Sequence, residues 1–336
     1  MSRPANRYLA VAAAVAALLL SVMSICTSCS PKKSDKPSPL HVQGTALLNA
    51  EGDTVVLKGV SLGWHNLWPR FYNKGAVKHI HKEWDCNLFR FSIGVDDLDE
   101  QGSIHKGYLS DPALGWKCVT QGVNAALSCG AYAIIDWHSH KLHEKEAVAF
   151  FDALSKLYAD EPGVIYELYN EPVDDSWKDL KSYAQTLIKT IRANAPDALI
   201  LMGCPHWDQD IDLPAADPIR DGGNLMYTLH FYAATHKEYL RDRADKAIDS
   251  GLPIFISECA AMEASGNGPL DYESWGQWLG WSEKNNISMV MWSLSDKDET
   301  CSMLYPKASS KGPWSDAVLK EWGLYVKQLL RDSSRL

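Results

Sequence analysis

The sequence predicts an α/β fold of the (β/α)₈ TIM-barrel class, a single large domain preceded by a short N-terminal β-hairpin. Eight strand-like apolar runs begin at residues 57, 87, 131, 164, 198, 225, 253 and 288, spaced 27 to 44 residues apart. That spacing is the length of a strand, a helix and their loops, and the near-continuous hydrophobicity of the runs fits parallel strands buried on both faces. Helical periodicity fills the gaps. Trp177, Leu180, Tyr183, Ala184, Leu187, Ile188 and Ile191 share one face, and Ala147, Phe150, Phe151, Leu154 and Tyr158 another. A doubly wound open sheet is the alternative, but no G-x-G-x-x-G follows the first run.

The chain starts with a targeting segment. Arg3 and Arg7 precede 18 uncharged, mostly apolar residues, Tyr8 to Ile25, which fit a signal peptide or, if uncleaved, a membrane anchor. Thr27-Ser28-Cys29 resembles the lipobox of bacterial lipoproteins, with Cys26 where that pattern carries Leu. The resemblance implies removal of residues 1–28, lipidation of Cys29, and a place in the bacterial cell envelope, held to the membrane by the lipid alone. Residues 29–40, rich in Pro, Ser and Lys, read as a tether. Residues 41–336 then form the domain, opening with two short strands around an Asn49–Asp53 turn. Cys86, Cys118, Cys129, Cys204, Cys259 and Cys301 remain. As an exported set they allow 15 disulfide connectivities; buried free thiols are the equal alternative, and no C-x-x-C pair suggests zinc.

The formal charge of −9 argues against nucleic acid or anionic lipid as the main partner. The chain holds 13 Trp and 14 Tyr against 7 Phe. Trp and Tyr join a flat apolar face to a hydrogen-bonding edge, which suits the C–H surface of sugar rings, although many of them fill core.

In a (β/α)₈ barrel the reactive groups sit at the C-terminal ends of the strands. The runs end in Arg90 (second), Asp136-Trp137-His138 (third), Asn170-Glu171 (fourth), His230-Phe231-Tyr232 (sixth), Ser257-Glu258 (seventh) and Trp292 (eighth). Glu171 alone could be the first acid of a helix opened by Pro172. Together with Glu258 it forms the pair that glycoside hydrolysis needs, one carboxyl to protonate the leaving oxygen and one to attack the anomeric carbon or activate water.

Here the chain resembles a family. "LYNEP" (168–172) and "FISE" (255–258) are similar to the acid/base and nucleophile motifs of glycoside hydrolase family 5, and "HFYAATHKEYLRD" (230–242) with "WSLSDKDE" (292–299) is closest to its subfamily 2 of bacterial endo-β-1,4-glucanases, or cellulases. The likeness runs from Leu57 to Glu299. It implies a retaining enzyme with Glu171 as acid/base and Glu258 as nucleophile, and no cofactor. Arg90 and Tyr232 would hold Glu258 ionised, His230 would bond near Glu171, and Asn170 would bind the sugar 2-hydroxyl. His138 would bind sugar beside the cleavage point unless it is a core histidine. By the same matching His65, Trp68 and Trp292 contact sugar on the non-reducing side, Trp207 is a platform on the leaving-group side, and Ala264, Lys297 and Glu299 add substrate contacts. Gly94 stands where related enzymes carry a Tyr.

The expected partner is a β-1,4-linked glucan, the expected state a monomer. Related β-1,4-glycanase activity on mannan or xyloglucan is the alternative within the enzyme class. From another class comes a non-catalytic surface glycan-binding lipoprotein, which would keep aromatic platforms but have no use for the paired Glu and their helpers. His138, His140 and His143 have spacings that could suggest a metal, but the best acids already stand in glycosidase positions, so no metal is expected.

Overall fold

The computed structural model describes residues 36–333; the signal segment and Cys29 lie outside the described residues. Short antiparallel strands β1 (His41–Gln43) and β2 (Ala46–Leu48) form the expected hairpin. Its turn is Gly44-Thr45, however, and not Asn49–Asp53. Gly44 takes the left-handed φ of +61° that a two-residue turn requires, whereas the Asn49–Asp53 turn closes a single bridge between Leu48 and Thr54.

Eight parallel strands then close the barrel in chain order. These are β3 (Lys58–Leu62), β4 (Leu88–Gly94), β7 (Tyr132–His138), β8 (Val164–Glu167), β9 (Leu199–Met202), β10 (Leu225–Tyr232), β11 (Ile254–Ala260) and β12 (Met289–Leu294), which pairs back onto β3. Between β4 and β7 a hairpin not expected from the sequence, β5 (Leu98–Glu100) with β6 (Ser103–His105), turns at Gln101-Gly102, both with positive φ. Helices Lys74–Trp84, Pro112–Leu127, Trp177–Arg192 and Tyr272–Lys284 start at Asn73, Asp111, Ser176 and Asp271, whose side chains accept backbone N–H groups of the first turn. The expected face of Trp177–Arg192 is the one buried. All six cysteines of the domain are free thiols, five of them buried.

The strand period of two divides the barrel interior into layers. Leu88, Ile134, Ile165, Phe255 and Val290 pack together as an apolar lower layer. Two residues further along the same strands stand Arg90, Asp136, Glu167, Ser257 and Trp292, a polar layer at the mouth. The pairing of β11 slips between Ile256 and Cys259, an irregularity of the kind that re-aims a side chain. It lets neighbouring residues Ser257 and Glu258 both reach into the mouth, where a regular strand would turn one of them away.

Candidate active site

Asn170 and Glu171 lie just past β8, yet the chain there is still held. Leu168 N–H donates to Leu201 O and Asn170 N–H to Trp137 O, at 2.9 and 3.1 Å. The site is therefore built on sheet and not on free loop. Across the mouth, a carboxylate oxygen of Glu171, one of Glu258 and a ring nitrogen of His230 all lie within 4.8 Å of one another.

Arg90 is the hub. Its side chain is fully buried, with Nε donating to Glu167 Oε2 at 2.7 Å, Nη1 to Glu258 Oε2 at 2.9 Å and Nη2 to Asn170 Oδ1 at 2.6 Å. Asp136 Oδ2 lies 3.0 Å from Nη2. Burial disfavours the guanidinium, but these carboxylates outweigh it and keep Arg90 charged. Burial also pushes Glu167 up, and Arg90 and His230 together more than offset it, taking the carboxyl down to about 2. Tyr232 Oη donates to Glu258 Oε1 at 2.7 Å; burial and Glu258 raise the phenol's pKa, so it stays a donor. Asn170 Nδ2 is buried and without a protein partner, a donor available to a sugar hydroxyl.

His230 bridges the two sides, Nδ1 at 2.9 Å from Glu171 Oε1 and Nε2 at 2.8 Å from Ser257 Oγ. Burial opposes its charge, but Asp208, Glu167 and Glu171 raise its pKa well above the ordinary value. Burial pushes Glu171 up; the His230 hydrogen bond and charge outweigh it and leave the carboxyl low. Glu258 is raised by burial first and by the negative charge of Glu171 second, with Arg90 opposing. The carboxylates thus titrate as a pair.

Two cavities of about 500 and 300 Å³ meet over this pair, sharing His140, Glu171, Tyr232 and Ala264. The larger holds Trp207, 45% exposed. Its ring is set by three consecutive left-handed residues, His206, Trp207 and Asp208 (φ 55°, 55° and 59°), a costly backbone pinned where Trp207 N–H donates to Pro172 O at 2.9 Å. The smaller holds Trp68, His138, Trp292, Lys297 and Glu299. His138 and Trp292 stack at 5.5 Å. Burial and Arg90 keep His138 neutral, and its Nδ1 bonds to Asp136 at 2.6 Å, leaving Nε2 for the cavity. Lys297 Nζ lies 3.2 Å from both Glu100 and Glu299.

One expected contact is overturned. His65 has no exposed surface, lines neither cavity, and burial takes its pKa to about 4. After β3 ends at Leu62 the strand alternation no longer applies, and it is the preceding Trp64 that enters the cleft, edge-on to His138 at 4.4 Å. Trp64 also explains Gly94, since a side chain there would meet Asn66 Oδ1 at 2.5 Å and Trp64 Cε3 at 3.1 Å. The three histidines that hinted at a metal do not converge. His138 bonds to Asp136, His140 to the Glu171 carbonyl at 3.1 Å and His143 to Asp96 at 3.1 Å. Sequence reasoning also missed Glu167 and Asp208.

A sequence model described as cellulase (glycosyl hydrolase family 5) matches residues 48–298. Endoglucanase Z of Dickeya dadantii (strain 3937) is 38% identical over 293 residues, 84% of this chain and 67% of that protein. Endoglucanase A of Evansella cellulosilytica is 36% identical over 293 residues, 85% of this chain and 58% of that protein. The chain thus spans 58% to 67% of the length of these two relatives. A structure from Cytophaga hutchinsonii superposes with a TM-score of 0.84 at 38% identity, covering 88% of this chain and 95% of its own. The catalytic domain of Thermobifida fusca endoglucanase Cel5A, solved with cellotetraose, gives 0.80 at 27% identity, covering 87% and 97%.

Proposed function

The chain belongs to glycosyl hydrolase family 5, the cellulase family, and from that premise we propose that it is a retaining endo-β-1,4-glucanase cutting internal bonds of cellulose-type or mixed-linkage glucans. The observation that carries this reading is the approach of Glu171 and Glu258 oxygens to within 4.8 Å. Retaining glycosidases hold their carboxyl groups about 5–5.5 Å apart, whereas inverting ones need about 6.5–9.5 Å to admit a water.

In the first step Glu258 Oε attacks the anomeric carbon from below while Glu171 gives its proton to the departing glycosidic oxygen, and a covalent glycosyl-enzyme forms. In the second, Glu171 as carboxylate takes a proton from water, the hydroxide oxygen bonds to the anomeric carbon, and Glu258 leaves. Arg90 and Tyr232 support the ionised nucleophile, and the free Nδ2 of Asn170 supports a role on the sugar 2-hydroxyl. Trp68 and Trp292, with Trp64 in place of His65, would bind sugar on the non-reducing side, and Trp207 would stack the leaving-group sugar. Incubation with carboxymethylcellulose, mixed-linkage glucan, mannan and xylan is expected to give short oligosaccharides from the first two. Products from mannan alone would move the assignment to a mannanase, and tight binding without products would make the chain a glycan-binding protein.

Thr27-Ser28-Cys29 supports lipid anchoring in the cell envelope; among the described residues no helix is long and apolar enough to cross a membrane. Expressed in a bacterium, the protein should incorporate labelled fatty acid and Cys29→Ser should not. Equal labelling of both would end this reading.

A further inference from the structure

We propose that Asp208 is a positioning residue that, acting through His230, sets how tightly Glu171 holds its catalytic proton. The inference rests on the assignment of Glu171 as acid/base. Asp208 stands in the left-handed stretch beside Trp207, yet its side chain turns the other way, into the barrel, and is fully buried. Its Oδ1 accepts the Cys204 N–H at 2.8 Å, its Oδ2 accepts the Thr228 hydroxyl at 2.5 Å, and Oδ2 lies 3.4 Å from His230 Nε2. A carboxyl so anchored cannot swing away from the imidazole.

The hydrogen bonds around His230 locate its protons. Ser257 has one proton, and Glu167 Oε1, 2.6 Å away and held ionised by Arg90, accepts it. Ser257 Oγ therefore offers a lone pair to His230 at 2.8 Å, so Nε2 carries a hydrogen. What remains is one proton between Nδ1 and Glu171 Oε1 across 2.9 Å. On Glu171 it is ready for the glycosidic oxygen; on His230 it is stored as an imidazolium. Glu167, Glu171 and Asp208 face the ring, with Glu258, Asp136, His138 and His236 acting from further off. The charge of Asp208 is the largest single effect that opposes burial of the imidazolium, and Asp208 has no role in the two chemical steps. Burial holds the pKa of Asp208 well above the ordinary carboxylate value, with the His230 charge the strongest opposing effect, so the charge of Asp208 depends on the imidazolium beside it. An ionised Asp208 keeps the proton on the His230–Glu171 couple as pH rises. Without it the couple is stripped at lower pH.

The test is the pH dependence of kcat/KM for the wild type and Asp208→Asn, with cellopentaose and with 2,4-dinitrophenyl β-cellobioside. Cellopentaose needs the proton of Glu171, whereas the dinitrophenolate departs without it. The alkaline limb for cellopentaose is expected to fall by about 1 pH unit or more, the size of shift a nearby charge produces, while that for the aryl glycoside stays in place. No shift for cellopentaose, or equal shifts for both substrates, would overturn the role, since a general structural defect would move both alike. Asp208→Ser carries the same expectation should the Asn variant not fold. Imidazole ¹⁵N shifts of wild-type His230 give a reading without substitution: Nε2 protonated throughout while Nδ1 titrates supports the couple, and the reverse overturns it. A wild type inactive on both substrates would instead remove the glucanase reading beneath it.

Discussion

Replacing Glu258 by Ala is expected to lower kcat on glucan by a factor on the order of 10⁴ to 10⁶, as loss of a covalent nucleophile does. The protein should remain folded, because Arg90 keeps its bonds to Glu167 and Asn170 and its ion pair with Asp136. Glu171→Ala should fail differently. On unactivated glucan it loses about 10²- to 10⁴-fold, the usual worth of a positioned general acid, but dinitrophenyl glycosides still form the covalent intermediate, and azide then frees it as the β-glycosyl azide. In Glu258→Ala no intermediate can form, so azide entering the vacated space yields the α-azide. Mass spectrometry of the trapped species and NMR of the azides separate the two. A β-azide from Glu258→Ala and an α-azide from Glu171→Ala would exchange the roles assigned here.

Arg90→Met should do the most damage to the fold of any single substitution at the mouth. It leaves Glu167, Asp136 and Glu258 buried at or below 6% side-chain exposure without their shared cation. Breaking a buried pair in this way costs about 3–5 kcal/mol, a fall in Tm on the order of 10 °C. The sign of the pH effect follows from the same charges. Glu258 must be ionised to attack, its pKa is already above the ordinary glutamate value, and Arg90 opposes that rise. Without Arg90 the pKa climbs further, so the acid limb of kcat/KM moves to higher pH. Calorimetry and a pH profile on the same variant check both parts. A variant as stable as the wild type with an unmoved acid limb would remove Arg90 from the centre of the site.

The eight barrel strands were legible because parallel strands buried on both faces read as unbroken apolar runs, and the mouth because polar residues crowd their ends. What escaped has physical reasons. Glu167 sits inside "VIYELY", where a lone acid looks like an interruption of a strand, although its place two residues after Ile165 puts it in the polar layer. His65 and Trp64 could not be told apart because they follow β3, where alternation stops. In "HWDQD" the aromatic drew the reading to Trp207, and only backbone geometry shows that Asp208 points into the barrel. The β5–β6 hairpin depends on Gln101 accepting a left-handed φ of 53°, for which its residue type offers no cue.

The central claim is that Glu171 and Glu258 act by double displacement, and its most direct measurement is ¹H NMR of a wild-type digest of cellopentaose, read within the first turnovers and before mutarotation. The account predicts that the newly released reducing ends appear first as the β-anomer and drift to the equilibrium mixture afterwards. Release of the α-anomer first would mean a single inverting displacement by water, and would contradict the assignment of Glu258 as nucleophile.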